Sequence, residues 1–195
     1  ARGALARWNA RNSGEAHLLI GETPFVGHRL IELARPAADQ AEPLLASESA
    51  RFIVPVPSRT VRQHLEAERE RRIREPQHER ESEDAPPHIM RELWQQLAAT
   101  ARAMGIAHPA DVDGKTPYDP RIYRDFYLRI LGKRHAQALA QDDILPAGAL
   151  SAYDFVAPFA ELVPAADEIA ATLHSVEWDY PTQADVEREI EAWYR

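Results

Sequence analysis

Arginine and glutamate are interleaved through one stretch of this chain in a pattern that bears on phosphate chemistry. Arg59, Arg62, Arg69, Arg71, Arg72 and Arg74 run together with Glu66, Glu68, Glu70 and Glu75. A guanidinium fork grips carboxylate or phosphate oxygens in pairs. Several forks closing over a polyphosphate would stabilise the charge of a transferring phosphoryl group. On a helix Arg62 and Arg69 stand about two turns apart and share a face, with Glu66 between them. The same spacing also suits a solvated helix laced by i, i+4 ion pairs, each worth only about 0.3–0.5 kcal/mol.

The elements around these residues decide what they can reach. The arginines follow Phe52-Ile53-Val54-Pro55-Val56, a short apolar run that reads as a strand over 51–56, and Pro57-Ser58 offers a helix start. Apolar residues nearly vanish between Leu65 and Ile89, so an arm over about 58–87 is expected to lie outside any deep core. An earlier run, His17-Leu18-Leu19-Ile20, closes in Gly21-Glu22-Thr23-Pro24 and reads as a strand at about 17–21. Between the two runs Val26, Leu30 and Leu33 recur at helical spacing until Pro36. A crossover helix there predicts parallel neighbours with their carboxyl ends side by side.

Ligands of open parallel sheets bind beyond that edge. Glu22 is therefore a candidate to orient a metal-bound water or a substrate hydroxyl, although Gly21-Glu22-Thr23-Pro24 also suits a plain turn. The arm is a candidate lid.

The remaining chain reads as mostly helical. Residues 2–11 carry Leu5 and Trp8 on one side. Met90, Leu93, Trp94, Leu97, Ala101 and Met104 form one stripe ended by Gly105. Residues 106–118 read as loop. Asp119-Pro120 reads as an N-cap with proline at the first helical position, and Ile122, Phe126, Ile130 and Leu131 make a core-facing stripe behind it. Residues 135–141 suit a third strand or more helix. Two helices, about 164–176 and 183–194, close the chain, with Val186, Ile190 and Trp193 expected inward.

Other motifs are weaker. Gly114-Lys115-Thr116 looks like the tail of a phosphate-binding loop, but Pro109 stands where that loop needs glycine and Pro117 follows at once, so a turn is expected. The histidines lack the spacing of a zinc site. Asp142-Asp143 and Asp111-x-Asp113 lack the glycine and glutamate of a calcium loop. Tyr118, Tyr123 and Tyr127 cluster at a helix start, where they would pack or line an acceptor pocket.

Composition sets the outer bounds. The chain has 195 residues, 45% of them hydrophobic and 28% charged, as in an ordinary globular protein. A net charge of −8 argues against non-specific nucleic-acid binding. No apolar run approaches the ~20 residues of a membrane span. There is no cysteine, which excludes disulfides and agrees with a cytoplasmic setting. The chain opens at Ala1 within what reads as a helix, which suggests a truncated or processed start. Trp178-Asp179-Tyr180 offers aromatic surface for a protein partner or a homodimer.

Three passages, HLLIGETPFVGHRLIELA, RFIVPVPSRTVRQHLEAERERRI and HERESEDAPPHIMRELW, together resemble the later part of P-loop nucleotide and small-molecule kinases. The likeness spans roughly residues 15–145 and rests on arrangement. It implies a single α/β domain with a partial three-layer kinase-like fold, a short parallel sheet and a lid-like arm. It also implies ATP and magnesium as cofactors and a small-molecule or nucleotide acceptor. By position Glu22 would be the acidic strand-end residue; Arg62 and Arg69 would act on the phosphates, and Arg59 and Arg72 would bind ATP. The phosphate-binding loop and its strand are expected before Ala1, and a piece without them is expected to be inactive. The alternative is a non-catalytic, mostly helical binding or scaffold domain whose charged arm contacts a partner.

Overall fold

A computed structural model of the chain describes residues 1–12, 14, 16–23, 27–106, 115–146, 148, 150–154 and 165–191. Two compact units emerge, a terminal one of residues 1–50 and 158–195 and a central one of residues 51–157. The described residues are helix-rich, with one short parallel sheet of two strands.

The central unit holds both strands, β1 (Phe52–Pro57) and β2 (Ala136–Gln141). They pair in parallel from Phe52 opposite Ala136 to Pro57 opposite Gln141. Between them run α4 (Arg59–Arg74), a 3-10 turn at Glu79–Glu83, α5 (Pro87–Ala103) and α6 (Pro120–Ile130). Each helix starts where its sequence provides for it. Ser58 caps α4 by accepting from the Val61 N–H at 3.2 Å, and Asp119 caps α6 from the Arg121 N–H at 2.8 Å, with Pro120 at the first position. Beyond α5, Gly105 takes the left-handed conformation at φ 73°, which lets Ile106 N–H reach back to Ala101.

The core of this unit follows from the apolar stripes. Trp94, Leu97, Ala98 and Ala101 of α5 and Ile122, Phe126 and Tyr127 of α6 are buried, with Val54 and Val56 of β1 and Leu131. Alternation on β1 is strict: Val54 and Val56 point inward, while Ile53 and Pro55 face out. Pro55 and Pro57 sit at the positions whose N–H groups the β2 ladder does not need, since Phe52 and Ser58 donate to His135 and Gln141.

The terminal unit comprises α1 (Arg2–Arg11), α2 (His28–Ala34), α3 (Glu42–Leu45), α7 (Ala166–Asp179) and α8 (Gln183–Glu191). Arg2 ties its first part together. Its buried guanidinium meets both oxygens of Asp39, at 2.5 and 2.8 Å, and Glu42 at 2.7 Å, and it donates to the Glu32 and Arg35 carbonyls. The Asp39 carboxyl is accordingly held down at about 2, chiefly by this hydrogen bond.

Residues 17–21 form no strand, and Leu18 and Ile20 are each 83% exposed. An apolar run becomes a strand only against a neighbour, and none of the described strands pairs with it. The parallel partner of β1 is β2, the segment whose periodicity left strand or helix open. Val26, Trp193 and the residues 107–114 lie outside the described residues. The helix expected at 2–11 and those near 28–34, 89–104 and 120–131 are present. Among the described residues no helix is long and apolar enough to cross a membrane.

Candidate functional site

The arginine arm leaves the carboxyl end of β1 without an intervening loop, because Ser58 alone separates Pro57 from the first residue of α4. That edge of the sheet is closed in by the start of α6. The Tyr118 hydroxyl donates to the Pro57 carbonyl at 2.9 Å, and Arg59 donates to the Tyr118 carbonyl at 3.1 Å and to Asp119 at 3.2 Å. Arg121 adds a second guanidinium to the same carboxylate at 2.9 Å. The side-chain bond from Arg121, its backbone N–H and the charge of Arg59 hold the Asp119 carboxyl at about 2 against the opposing effect of burial. Burial pushes the Tyr118 hydroxyl well above its ordinary range.

Farther along α4 the arginines turn to the rest of the unit. Arg62 is only 7% exposed. It donates to Glu66 at 2.8 Å and to the Met90 carbonyl at 2.7 Å, and lies 5.3 Å from the centroid of the Tyr118 ring. Glu66 also accepts from Arg91 at 3.1 Å. Arg69 donates to the Ala85 carbonyl at 3.1 Å. Arg62 and Arg69 thus share a face, as their spacing requires, and that face meets the chain entering α5. A helix dipole adds to this arrangement, since the basic last turn of α4 carries Arg71, Arg72 and Arg74. Arg71 forks onto Glu68, at 2.9 Å for its closest contact, and lowers that carboxyl below its usual range. Arg74 pairs with Glu70. Arg72 lies toward Glu68 and Glu81, whose charges it stabilises, with its Nε buried and unbonded.

The far end of the arm is fastened by residues the sequence did not single out. The Glu81 carboxylate is almost fully buried and accepts from Ser151 Oγ at 2.6 Å and from the Gln77 N–H at 2.8 Å. Tyr153 donates to Asp84 at 2.7 Å, with its ring 5.5 Å from that of His78 and 5.2 Å from the Arg80 guanidinium. Nothing in the local pattern of Glu79–Glu83 marks Glu81 for burial, because its partner Ser151 lies far along the chain. The arm is therefore a packed part of the central unit, pinned at both ends and along one face.

The other sequence-derived residues fall elsewhere. Glu22 belongs to the terminal unit, exposed and outside any strand, so its role as a strand-end acid does not apply. Thr116 is buried and clamped by α5: its carbonyl accepts from Trp94 Nε1 at 2.7 Å and Gln95 Nε2 at 2.9 Å, and its N–H donates to Gln95. Thr116 is thus a packing residue held against α5, while Gly114 of the expected turn lies outside the described residues. Tyr123 and Tyr127 pack in the core. A shallow groove between α1 and α7, lined by Arg7, Asp167, Thr172 and Ser175 among others, holds none of the site residues read from the sequence. No group of three or more histidine or acidic side chains that would hold a metal ion occurs among the described residues. In comparisons with known proteins, no family model, curated protein or solved structure matches this chain.

Proposed function

We propose that this chain is part of an ATP-dependent phosphotransferase of the P-loop kinase kind, acting on a nucleotide or another small molecule. The observation that carries the reading is the placement of the arm. An arginine-bearing helix starts at the carboxyl end of a strand whose neighbour is parallel to it, which is where ligands of such sheets bind. Arg59, its side chain 61% exposed at that edge, and Arg69 farther along suit the phosphates of ATP. Arg62 is in this reading the anchor of the arm, because its guanidinium is buried against Glu66 and Met90.

The described residues do not fit magnesium, since they bring no acidic cluster to the sheet edge. What the chain's own residues supply is positive charge and a shaped cover.

The second reading, a non-catalytic binding or scaffold domain, is favoured by one specific observation. Arg62 and Arg69, the pair best spaced to grip phosphates, both donate to backbone carbonyls at the start of α5, Met90 in its first turn and Ala85 just before it. One experiment separates the two readings: MgATP titration by calorimetry and phosphotransfer assays on the full-length protein and on Arg69→Ala. A transition-state contact predicts that kcat and kcat/KM of the variant fall together by about 10²–10³-fold at unchanged melting temperature. Absence of MgATP binding, or unchanged turnover, would give the scaffold reading the lead.

A further inference from the structure

The two edges of the sheet differ, and the difference selects a partner. In a parallel ladder the N–H and C=O of one residue point to the same edge, and successive residues alternate. Phe52 N–H donates to the His135 carbonyl at 3.0 Å and Ser58 N–H to the Gln141 carbonyl at 2.8 Å. Even-numbered residues of β1 and odd-numbered residues of β2 therefore face each other. The outer edge of β1 belongs to Ile53, Pro55 and Pro57, and the two prolines have no N–H to offer. That edge is closed to strand addition.

Among the described residues no strand pairs with the outer edge of β2. That edge belongs to Ala136, Ala138 and Ala140. Ala136 N–H is turned back to the Arg134 carbonyl at 2.9 Å, which leaves the N–H groups of Ala138 and Ala140 and the carbonyls of Ala136 and Ala138 along it. No residue of β2 is fully buried. On the face turned away from α6, Ile53 is 51% and Leu139 48% exposed.

Charge flanks this edge asymmetrically. Lys133 precedes β2, Asp143 follows it, and both are exposed. We propose that β2 pairs antiparallel with β2 of a second copy about a two-fold axis through Ala138. Ala138 N–H then meets the Ala138 carbonyl of the other copy, and Ala140 N–H meets the Ala136 carbonyl. The antiparallel sense also brings the turn that carries Lys133, just before β2, beside the end where Asp143 leaves β2 of the other copy, twice over. A parallel addition would put lysine beside lysine and aspartate beside aspartate. The alanines keep the joint clear of bulk beneath α6, and Leu139 falls opposite Gln137 on the open face, joining the apolar patches of Ile53 and Leu139 into one. Such a self-complementary contact closes as a dimer and exposes only the proline-blocked edges of β1.

The test is sedimentation velocity over a range of protein concentration, with circular dichroism as the check on folding. The wild type is expected to dimerise. Ala138→Pro, which removes an outward N–H not used by β1, should leave a monomer. Should that variant fail to fold, the charges carry the test. Lys133→Glu and Asp143→Lys should each weaken the dimer at least tenfold at low salt, and the double variant should restore it. A wild-type monomer at all concentrations would overturn the proposal. So would a dimer indifferent to both single charge reversals.

Discussion

Ser151 donates its hydroxyl proton to the buried carboxylate of Glu81 at 2.6 Å, across 70 positions of sequence. This contact closes the far end of the arm onto the segment that follows β2, and Tyr153 donating to Asp84 reinforces it. The Ser151 bond and the Gln77 N–H lower the Glu81 carboxyl below its usual range. A depressed carboxyl stabilises the fold above the unfolded-state pKa and loses that contribution as pH falls through the folded value. Ser151→Ala should speed amide exchange across 79–84 at neutral pH while leaving α5 protected. Glu81→Gln should lower stability at pH 7 and flatten its decline in acid. Equal exchange in wild type and Ser151→Ala would show that the contact holds nothing down.

Asp119 combines a helix cap with two guanidinium partners, and the two roles can be separated. Asp119→Ala loses both and should cost about 2–3 kcal/mol, of which the cap is about 1. Asp119→Asn keeps a capping oxygen and should cost less. With the carboxyl held at about 2, the ionic share is complete above pH ~4 and lost as pH falls through about 2. Because Arg121 and Arg59 are largely exposed, that share is screened by water and lies at the low end of its range. Urea unfolding of both variants at pH 7 and pH 3 reads the split; identical losses for Asn and Ala would deny the cap any part.

Arg62→Ala should destabilise the central unit by about 2–3 kcal/mol. It strips a charged donor from the part-buried Met90 carbonyl and leaves Glu66 with Arg91 alone. Arg62→Lys should recover only part, because a point-like ammonium lacks the spaced fork by which Nε reaches Glu66 while a terminal nitrogen reaches Met90. Chemical denaturation followed by Trp94 fluorescence measures both. A loss under 0.5 kcal/mol for Arg62→Ala would return Arg62 to the surface ion pairs.

Phe126 is fully buried on α6, the helix that packs against both α5 and β1, with its ring edge-on to that of Tyr127. Phe126→Ala should cost about 3–5 kcal/mol, whereas Ile53→Ala on the open face of the sheet should cost under ~1 kcal/mol in the monomer. Thermal melts of the two variants should separate by several degrees, and equal melts would place the core elsewhere.

The helices were legible because their stripes and punctuation are local. Trp94 and Leu97, Ile122 and Phe126, and the caps Ser58 and Asp119 all lie where their spacing puts them. The sheet was half legible. β1 carries branched residues in alternation, but Ala136–Gln141 is alanine-rich, and alanine and glutamine favour helix in isolation. Pairing with β1 decides that segment, and no local signal carries it. The run at 17–21 failed for the converse reason: Leu18 and Ile20 have strand-like character but no partner among the described strands. On the arm, the shared face of Arg62 and Arg69 followed from helix geometry. What that face meets depended on Met90 and Ala85, and the fastening by Ser151 depended on a residue far along the chain.

The connection from β1 to β2 also has a consequence for biosynthesis. Roughly eighty residues separate Phe52 from its partner Ala136. At typical rates of synthesis the first strand waits on the order of 5–20 s before the second has been made. During that interval an apolar strand is an invitation to foreign pairing. Pro55 and Pro57 withdraw two donors from one edge, so a stray strand can settle only where β2 will later compete for the place. The prolines that shape the finished sheet thus also guard the ribosome-bound chain while it is still without its partner.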